Sequence, residues 1–147
     1  MDFFNGIINN DVFVVAFIAW FIAQALKVIL TLMKDRTFDI SRMVGSGGMP
    51  SSHSSSVMGM STAIGILDGY DSPIYGFAII LSLVVMYDAS GVRRSVGKQA
   101  IIINKMIIDF YENHHIKEGR LKELVGHTPY EVLAGAALGI VVANLYL

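Results

Sequence analysis

The chain has 147 residues, of which 54% are hydrophobic and only 16% are charged. Soluble domains carry about 25% charged residues, so this composition favours a membrane protein over a soluble one. The sequence contains no cysteine, which excludes disulfides and thiolate-bound zinc. Its length suits one membrane-embedded domain spanning residues 1–147. The alternative is a soluble helical protein with an unusually apolar core.

The first predicted element is a membrane-spanning helix at residues 12–33, an apolar run interrupted only by Gln24, Lys27 and Thr31. A helix needs about 20 apolar residues to cross the hydrocarbon core of a bilayer, and this run is long enough. The residues before it include acids but no Lys or Arg. A cleaved signal peptide would begin with a basic region, so we expect this helix to be retained.

Three further apolar stretches follow, at residues 55–67, 73–87 and 129–147. The first two are short for a span, but they become long enough if the flanking segments S-S-H-S-S-S and Y-D-A-S-G-V are helical as well. Segments rich in Gly and Pro, together with a basic region, separate the stretches. The sequence therefore predicts an all-α integral membrane bundle with about four transmembrane helices.

A further helix is predicted at residues 97–112. Lys105, Asp109 and Glu112 recur there at helical spacing, so they form one polar stripe on an otherwise apolar helix. Such an amphipathic helix lies in the membrane interface or packs beside the bundle. It would be short and heavily charged for a true span.

The basic residues are distributed asymmetrically about this topology. Four spans place both termini and residues 68–72 on one side, and residues 34–54 and 88–128 on the other. Ten of the eleven Lys and Arg residues lie on the second side: Lys34, Arg36, Arg42, Arg93, Arg94, Lys98, Lys105, Lys117, Arg120 and Lys122. The positive-inside rule makes that side cytoplasmic. We therefore expect a multi-pass cell-membrane protein whose N- and C-termini are outside.

Two polar motifs on the predicted cytoplasmic side contain a histidine. In G-G-M-P-S-S-H-S-S-S, Ser51 or Ser52 suits the N-cap of the following helix, and His53 could be an incidental interfacial residue. In G-H-T-P-Y-E, Thr128 and Glu131 have the spacing of a capping box. The capping box does not account for His127, which comes immediately before the cap.

The third motif, D-A-S-G-V-R-R-S-V-G-K, contains three cations within residues 88–98. Each of them alone is explained by contact with anionic lipid head groups. Together with the two histidine-bearing helix N-termini, however, they favour a phosphate site. Helix N-termini bind phosphate, arginine forks contact its oxygens, and a histidine pair can divide the roles of nucleophile and general acid.

The motifs resemble those of the type 2 phosphatidic acid phosphatase superfamily, which includes vanadium haloperoxidases. P-S-S-H at residues 50–53 is similar to P-S-G-H, and H-T-P-Y-E-V-L-A-G at 127–135 is similar to H-x-x-x-D with its V-L-A-G continuation. Together with D-A-S-G-V-R-R-S-V-G-K-Q-A, they resemble the small divergent branch of that superfamily.

This resemblance implies a role for each motif residue. His127 attacks phosphorus and forms a phosphohistidine, Glu131 orients it, and His53 protonates the leaving oxygen. Backbone N–H groups near Ser51 and Ser52 hold the phosphoryl oxygens. The full set expected to bind phosphate is Ser51, Ser52, Arg93, Arg94, Lys98 and Lys27. No metal and no cofactor is expected, and His114 and His115 are expected to be exposed to solvent.

The sequence departs from the superfamily pattern at three points. Lys27 and Lys34 have the lysine spacing of K-x6-R-P, but the next arginine lies two residues late and no proline follows. Leu121 occupies the position of the arginine that normally precedes the nucleophile, beside Arg120. Glu131 replaces aspartate, which adds a methylene group to the His–carboxylate pair.

The function expected is removal of phosphate from a lipid phosphate at the cytoplasmic face. The alternatives are a non-catalytic protein that binds or moves anionic lipids, and a small structural membrane subunit. Membrane lipids are expected partners, and no nucleic acid is. Gly135 and Gly139, at GxxxG spacing, allow a homo-oligomer, although we expect them to pack within the bundle.

Overall fold

A computed structural model of the protein describes residues 3–36, 48–114 and 126–147. Throughout this part of the chain the secondary structure is helical, without a β-strand, as predicted for the all-α class. The helices are α1 (Phe3–Ile8), α2 (Asp11–Asp35), α3 (Ser52–Asp68), α4 (Pro73–Ser90), α5 (Val92–His114) and α6 (Pro129–Tyr146).

Polar side chains determine where four of the helices begin. Asn10, Ser51, Ser72 and Thr128 each accept a hydrogen bond from a backbone N–H in the first turn of the helix that follows. These bonds satisfy N–H groups that have no partner within the helix. The cap of α3 is therefore Ser51, and the predicted capping box at the start of α6 is present.

The helices extend through the polar segments that flank the apolar stretches. α3 begins at Ser52, so most of S-S-H-S-S-S is helical, and α4 continues to Ser90. Three segments of the described chain are long and apolar enough to cross a membrane: Asp11–Met33, Pro73–Ile108 and Pro129–Tyr146. α3, with 17 residues, is not among them, and the count of four spans stays a prediction.

α3 is the central helix, since it packs against α2, α4 and α6. Its serines bond to its neighbours: Ser55 and Ser56 donate to backbone carbonyls of α2 at 2.9 and 3.1 Å, and the Ser61 hydroxyl lies 2.7 Å from that of Ser82 in α4. Hydroxyls that bond between helices are compatible with burial in a membrane bundle. Because α2, α4 and α6 surround α3, its polar side chains find partners on these helices instead of facing lipid.

Glycines bring α3 and α6 into backbone contact. A Cβ atom at Gly135 would overlap the Ser51 carbonyl, and one at Gly139 would overlap the Ser55 carbonyl. Side chains as small as hydrogen let two helix backbones approach closely. These glycines therefore pack within the bundle, as expected. Because Gly135 meets Ser51 and Gly139 meets Ser55, α6 lies parallel to α3 and the two helices begin at the same end of the bundle.

Large apolar side chains cover the outside of the bundle. Phe13, Phe17 and Phe21 follow one face of α2 and are about half exposed, and Phe77 and Val84 are exposed on α4. A bilayer is the environment that these faces require, because apolar surface of this extent is unfavourable in water.

α5 contains the predicted amphipathic helix and extends beyond it at both ends. Among the described helices its backbone packs against α4 alone. Ala100 and Asn104 are buried, and Lys105 is exposed. The side chains of Asp109 and Glu112 lie outside the described part of the structure. The interfacial position of this helix stays a prediction.

Candidate active site

Two backbone hydrogen bonds bring the histidine motifs together at one end of the bundle. The Ser51 N–H donates to the Glu131 carbonyl at 2.9 Å, which ties the P-S-S-H loop to the first turn of α6. The His127 N–H donates to the Ala89 carbonyl at 3.1 Å, near the end of α4. The site is therefore built where α3 and α6 begin and α4 ends.

His127 is buried and is held by a carboxylate. Its Nδ1 lies 3.1 Å from Glu131 Oε2, and only 3% of the residue is exposed. An ionised carboxylate only accepts hydrogen bonds, so Nδ1 carries the proton and donates it. In the neutral ring the lone pair then lies on Nε2, which is the nitrogen able to act as a base or a nucleophile.

Glu131 combines this contact with the helix cap. The same Oε2 accepts the Thr128 N–H at 2.9 Å, and Thr128 Oγ1 accepts the Glu131 N–H at 3.4 Å. The capping box therefore fixes the carboxylate that fixes the His127 ring. The structural and the functional interpretations of Glu131 are compatible, because both contacts use one oxygen.

His53 lies in the first turn of α3 and faces the same region as His127. The two ring centroids are 6.4 Å apart, with an interplanar angle of 63°. His53 is exposed whereas His127 is buried. The structure thus brings together a buried imidazole oriented by a carboxylate and a second imidazole that solvent can reach.

Lys27 is the buried cation that reaches this end of the bundle. It is 3% exposed, and its Nζ donates to Ser52 Oγ at 3.3 Å. Gly48, at a left-handed φ of 84°, passes over its aliphatic stem, because a Cβ atom there would lie 3.9 Å from Lys27 Cγ. A lysine within a membrane helix is costly unless it is paired or serves a function.

Ser51 and Ser52 have different surroundings. Ser51 uses its N–H for the Glu131 carbonyl, and its hydroxyl accepts from Ser54 N–H at 3.4 Å and from Ser54 Oγ at 3.0 Å. The N–H of Ser52, the first residue of α3, precedes the point where intrahelical bonds begin. The Ser51 N–H is thus engaged by the Glu131 carbonyl, and the contact of phosphate with backbone N–H groups near Ser51 and Ser52 stays a prediction.

The described structure does not show the cations of the D-A-S-G-V-R-R-S-V-G-K motif at this site. Lys98 is exposed on α5, and the side chains of Arg93 and Arg94 lie outside the described part. The same holds for the His114 side chain and for residues 115–125, so the predicted roles of these cations and the exposure of His114 and His115 stay predictions.

Sequence reasoning missed two contacts of the site. The Ala89 carbonyl that accepts from His127 leaves no signal in the sequence, since any residue type supplies a carbonyl. The Lys27–Ser52 bond had a partial signal, because a lone lysine inside an apolar run indicates a partner without naming it.

Comparison with known proteins identifies the family of the chain. Residues 8–142 match the family model described as "Divergent PAP2 family". The chain belongs to the divergent PAP2 family. It is 40% identical over 131 residues to "Uncharacterized membrane protein YuiD" of Bacillus subtilis, with 80% of this chain and 82% of that protein covered. No solved structure matches the chain. The resemblance inferred from the motifs is confirmed, and the chain is a membrane protein.

Proposed function

We propose that this member of the divergent PAP2 family is a membrane phosphohydrolase that removes phosphate from a lipid phosphate through a phosphohistidine. The observation that supports it most strongly is the arrangement of three side chains. His127 bonds to Glu131 at 3.1 Å, and the ring of His53 lies 6.4 Å from that of His127. A nucleophile, its orienting carboxylate and a second imidazole are the groups that this chemistry requires.

In the first step, Nε2 of His127 attacks phosphorus while the bond from phosphorus to the lipid oxygen breaks. Protonated His53 gives its proton to that oxygen, so the lipid leaves as an alcohol. In the second step, a water molecule attacks the phosphohistidine and His53 takes a proton from it. Inorganic phosphate leaves, and both histidines return to their starting protonation states.

Charge at the site supports both steps. The Glu131 carboxylate stabilises the positive charge that the His127 ring acquires when it is bonded to phosphorus. The Lys27 ammonium and the first-turn N–H groups of α3 offset the negative phosphoryl oxygens. The Lys27 Nζ donates a hydrogen bond to Ser52 at 3.3 Å. Among the described residues of the site, Lys27 is the buried cation.

The substrate proposed is a lipid phosphate on the cytoplasmic side. Lys27, His53 and His127 lie at the bundle end from which the Lys- and Arg-rich segments extend, and such segments are retained in the cytoplasm. A phospholipid intermediate made at the inner leaflet fits this position better than a lipid carrier recycled on the outer face.

The direct test is phosphate release by the purified protein from lipid phosphates in mixed micelles, with vanadate binding measured in parallel. We expect release by the wild-type protein, none by His127→Ala, and full activity in His115→Ala, a control histidine that has no assigned role. Binding of vanadate without any release would favour the alternative of a non-catalytic lipid-binding protein.

A further inference from the structure

The D-A-S-G-V motif forms the junction between α4 and α5, next to the nucleophile. α4 ends at Ser90 and α5 begins at Val92. Gly91 between them has φ −102° and ψ −81°, which departs from helical geometry. The last four carbonyls of a helix have no partner within it. One of these, at Ala89, accepts the hydrogen bond from the His127 N–H.

The hydrogen bond from the His127 N–H to the Ala89 carbonyl restrains a residue that lies outside every helix. His127 precedes the N-cap of α6, so its backbone N–H lies outside the helical hydrogen-bond ladder. The ring is oriented by Glu131 through Nδ1, and the main chain is held by Ala89 at 3.1 Å. Two restraints on one residue, at the backbone and at the ring, fix the position from which Nε2 can attack.

Gly91 determines whether the junction can take this shape. Its N–H donates to the Tyr87 carbonyl at 2.8 Å, and a Cβ atom on it would lie 2.9 Å from the same oxygen. A backbone oxygen that close forces the junction to shift. Alanine also favours an uninterrupted helix, in which the Ala89 carbonyl would bond to residue 93 instead of to His127.

We propose that the α4–α5 junction is a positioning element for His127, in which Gly91 permits the turn that aims the Ala89 carbonyl at the His127 N–H. Its catalytic consequence rests on the function proposed above. The junction itself touches no substrate, and it acts through the nucleophile.

Selective labelling of histidine makes the backbone contact measurable without any substrate. The chain has four histidines, so a protein labelled with [15N]histidine gives four backbone amide signals, and the loss of one in His127→Ala assigns it. We expect the His127 amide of the wild-type protein to be protected from hydrogen exchange, because the Ala89 carbonyl binds it.

The matched variants are Gly91→Ala and Gly76→Ala. Gly76 lies in α4, where an added Cβ atom would meet nothing within 4 Å. We expect Gly91→Ala to speed exchange of the His127 amide and to lower kcat about tenfold, the effect of losing one hydrogen bond. KM should change little, because the groups that bind phosphate are untouched. Gly76→Ala should behave like the wild-type protein in all three measurements.

Two results would overturn the positioning proposal. One is an unprotected His127 amide in the wild-type protein, a result that does not depend on Gly91→Ala and therefore holds even if that variant does not fold. The other is unchanged exchange and kcat in folded Gly91→Ala. Absence of turnover in the wild-type protein would contradict only the proposed function, since amide exchange would still decide whether the junction holds His127.

Discussion

One carboxylate oxygen of Glu131 accepts hydrogen bonds from both the Thr128 N–H and the His127 ring. A glutamine at this position can keep the cap, because Gln also serves in capping boxes. It cannot supply the negative charge that stabilises an imidazolium. The local structure therefore makes Glu131 a residue at which helix stability and catalysis can be separated by one substitution.

We expect Glu131→Gln to retain the thermal stability of the wild-type protein within a small margin and to lower kcat about 10- to 100-fold, since a charge-assisted hydrogen bond of about 1.5–3 kcal/mol is weakened. Thermal unfolding in detergent and steady-state phosphate release would measure the two effects. Unchanged activity in Glu131→Gln, with stability and activity lost only in Glu131→Ala, would mean that Glu131 is only a cap.

Replacement of His53 should affect hydrolysis differently from replacement of His127. If it protonates the leaving oxygen, His53→Ala slows hydrolysis of a lipid phosphate by about 10²–10⁴-fold, the usual contribution of a general acid. An aryl phosphate, whose leaving group needs no proton, should recover much of that loss. The ratio of the two rates in each variant is the measurement, and an equal loss on both substrates would exclude the acid role.

Among the helices, the contact between α3 and α6 fixes the distance between the two histidines. Gly135 meets the Ser51 backbone and Gly139 meets the Ser55 backbone. The loop before α3 and the first turn of α6 are also joined by the Ser51–Glu131 hydrogen bond. The two histidine-bearing N-termini are therefore packed and hydrogen-bonded together, and any side chain inserted between them should separate the rings.

Gly135→Ala tests this contact. The added methyl group would overlap the Ser51 carbonyl, and overpacking of this kind costs about 1–3 kcal/mol. We expect a lower unfolding temperature in detergent and a loss of activity, while Gly76→Ala, on the open face of α4, should show neither. A Gly135→Ala protein as stable and active as the wild type would show that α3 and α6 can separate without consequence.

Sequence patterns predicted the helices well where residues near in the chain determine the structure. Hydropathy located α2 and α6, and cap candidates at Ser51 or Ser52 and at Thr128 located two helix starts. The central position of α3 was not predictable, because the serine bonds that explain it are made to other helices. The Lys27–Ser52 and Ala89–His127 contacts were missed for the same reason: each joins segments far apart in the chain, and only packing brings them together.

For the whole molecule, the one-sided distribution of Lys and Arg predicts which end of the bundle faces the cytoplasm. The described structure gathers Lys27, His53 and His127 at the end from which the basic segments extend. With the predicted orientation, a site at that end would be open to lipids of the inner leaflet. The orientation is therefore part of the proposed function, and it can be measured independently of activity.

Single cysteines give that measurement, because the native chain has none. We expect Asp71→Cys and Leu147→Cys to react with a membrane-impermeant maleimide on intact cells, and Arg42→Cys and Lys117→Cys to react only after the cells are opened. Permeabilised cells provide the control for reactivity at each position. Labelling of all four from the same side would overturn the cytoplasmic location of the site.

The central claim is that His127 attacks phosphorus, and the most direct measurement is to trap the phosphoenzyme. Purified protein would be mixed with a lipid carrying labelled phosphate, quenched with base to preserve phosphohistidine, and digested for mass spectrometry. We predict label on His127 in the wild-type protein, and neither label nor phosphate release in His127→Ala. Phosphate release that continues unchanged in His127→Ala, or label on another residue, would contradict the account.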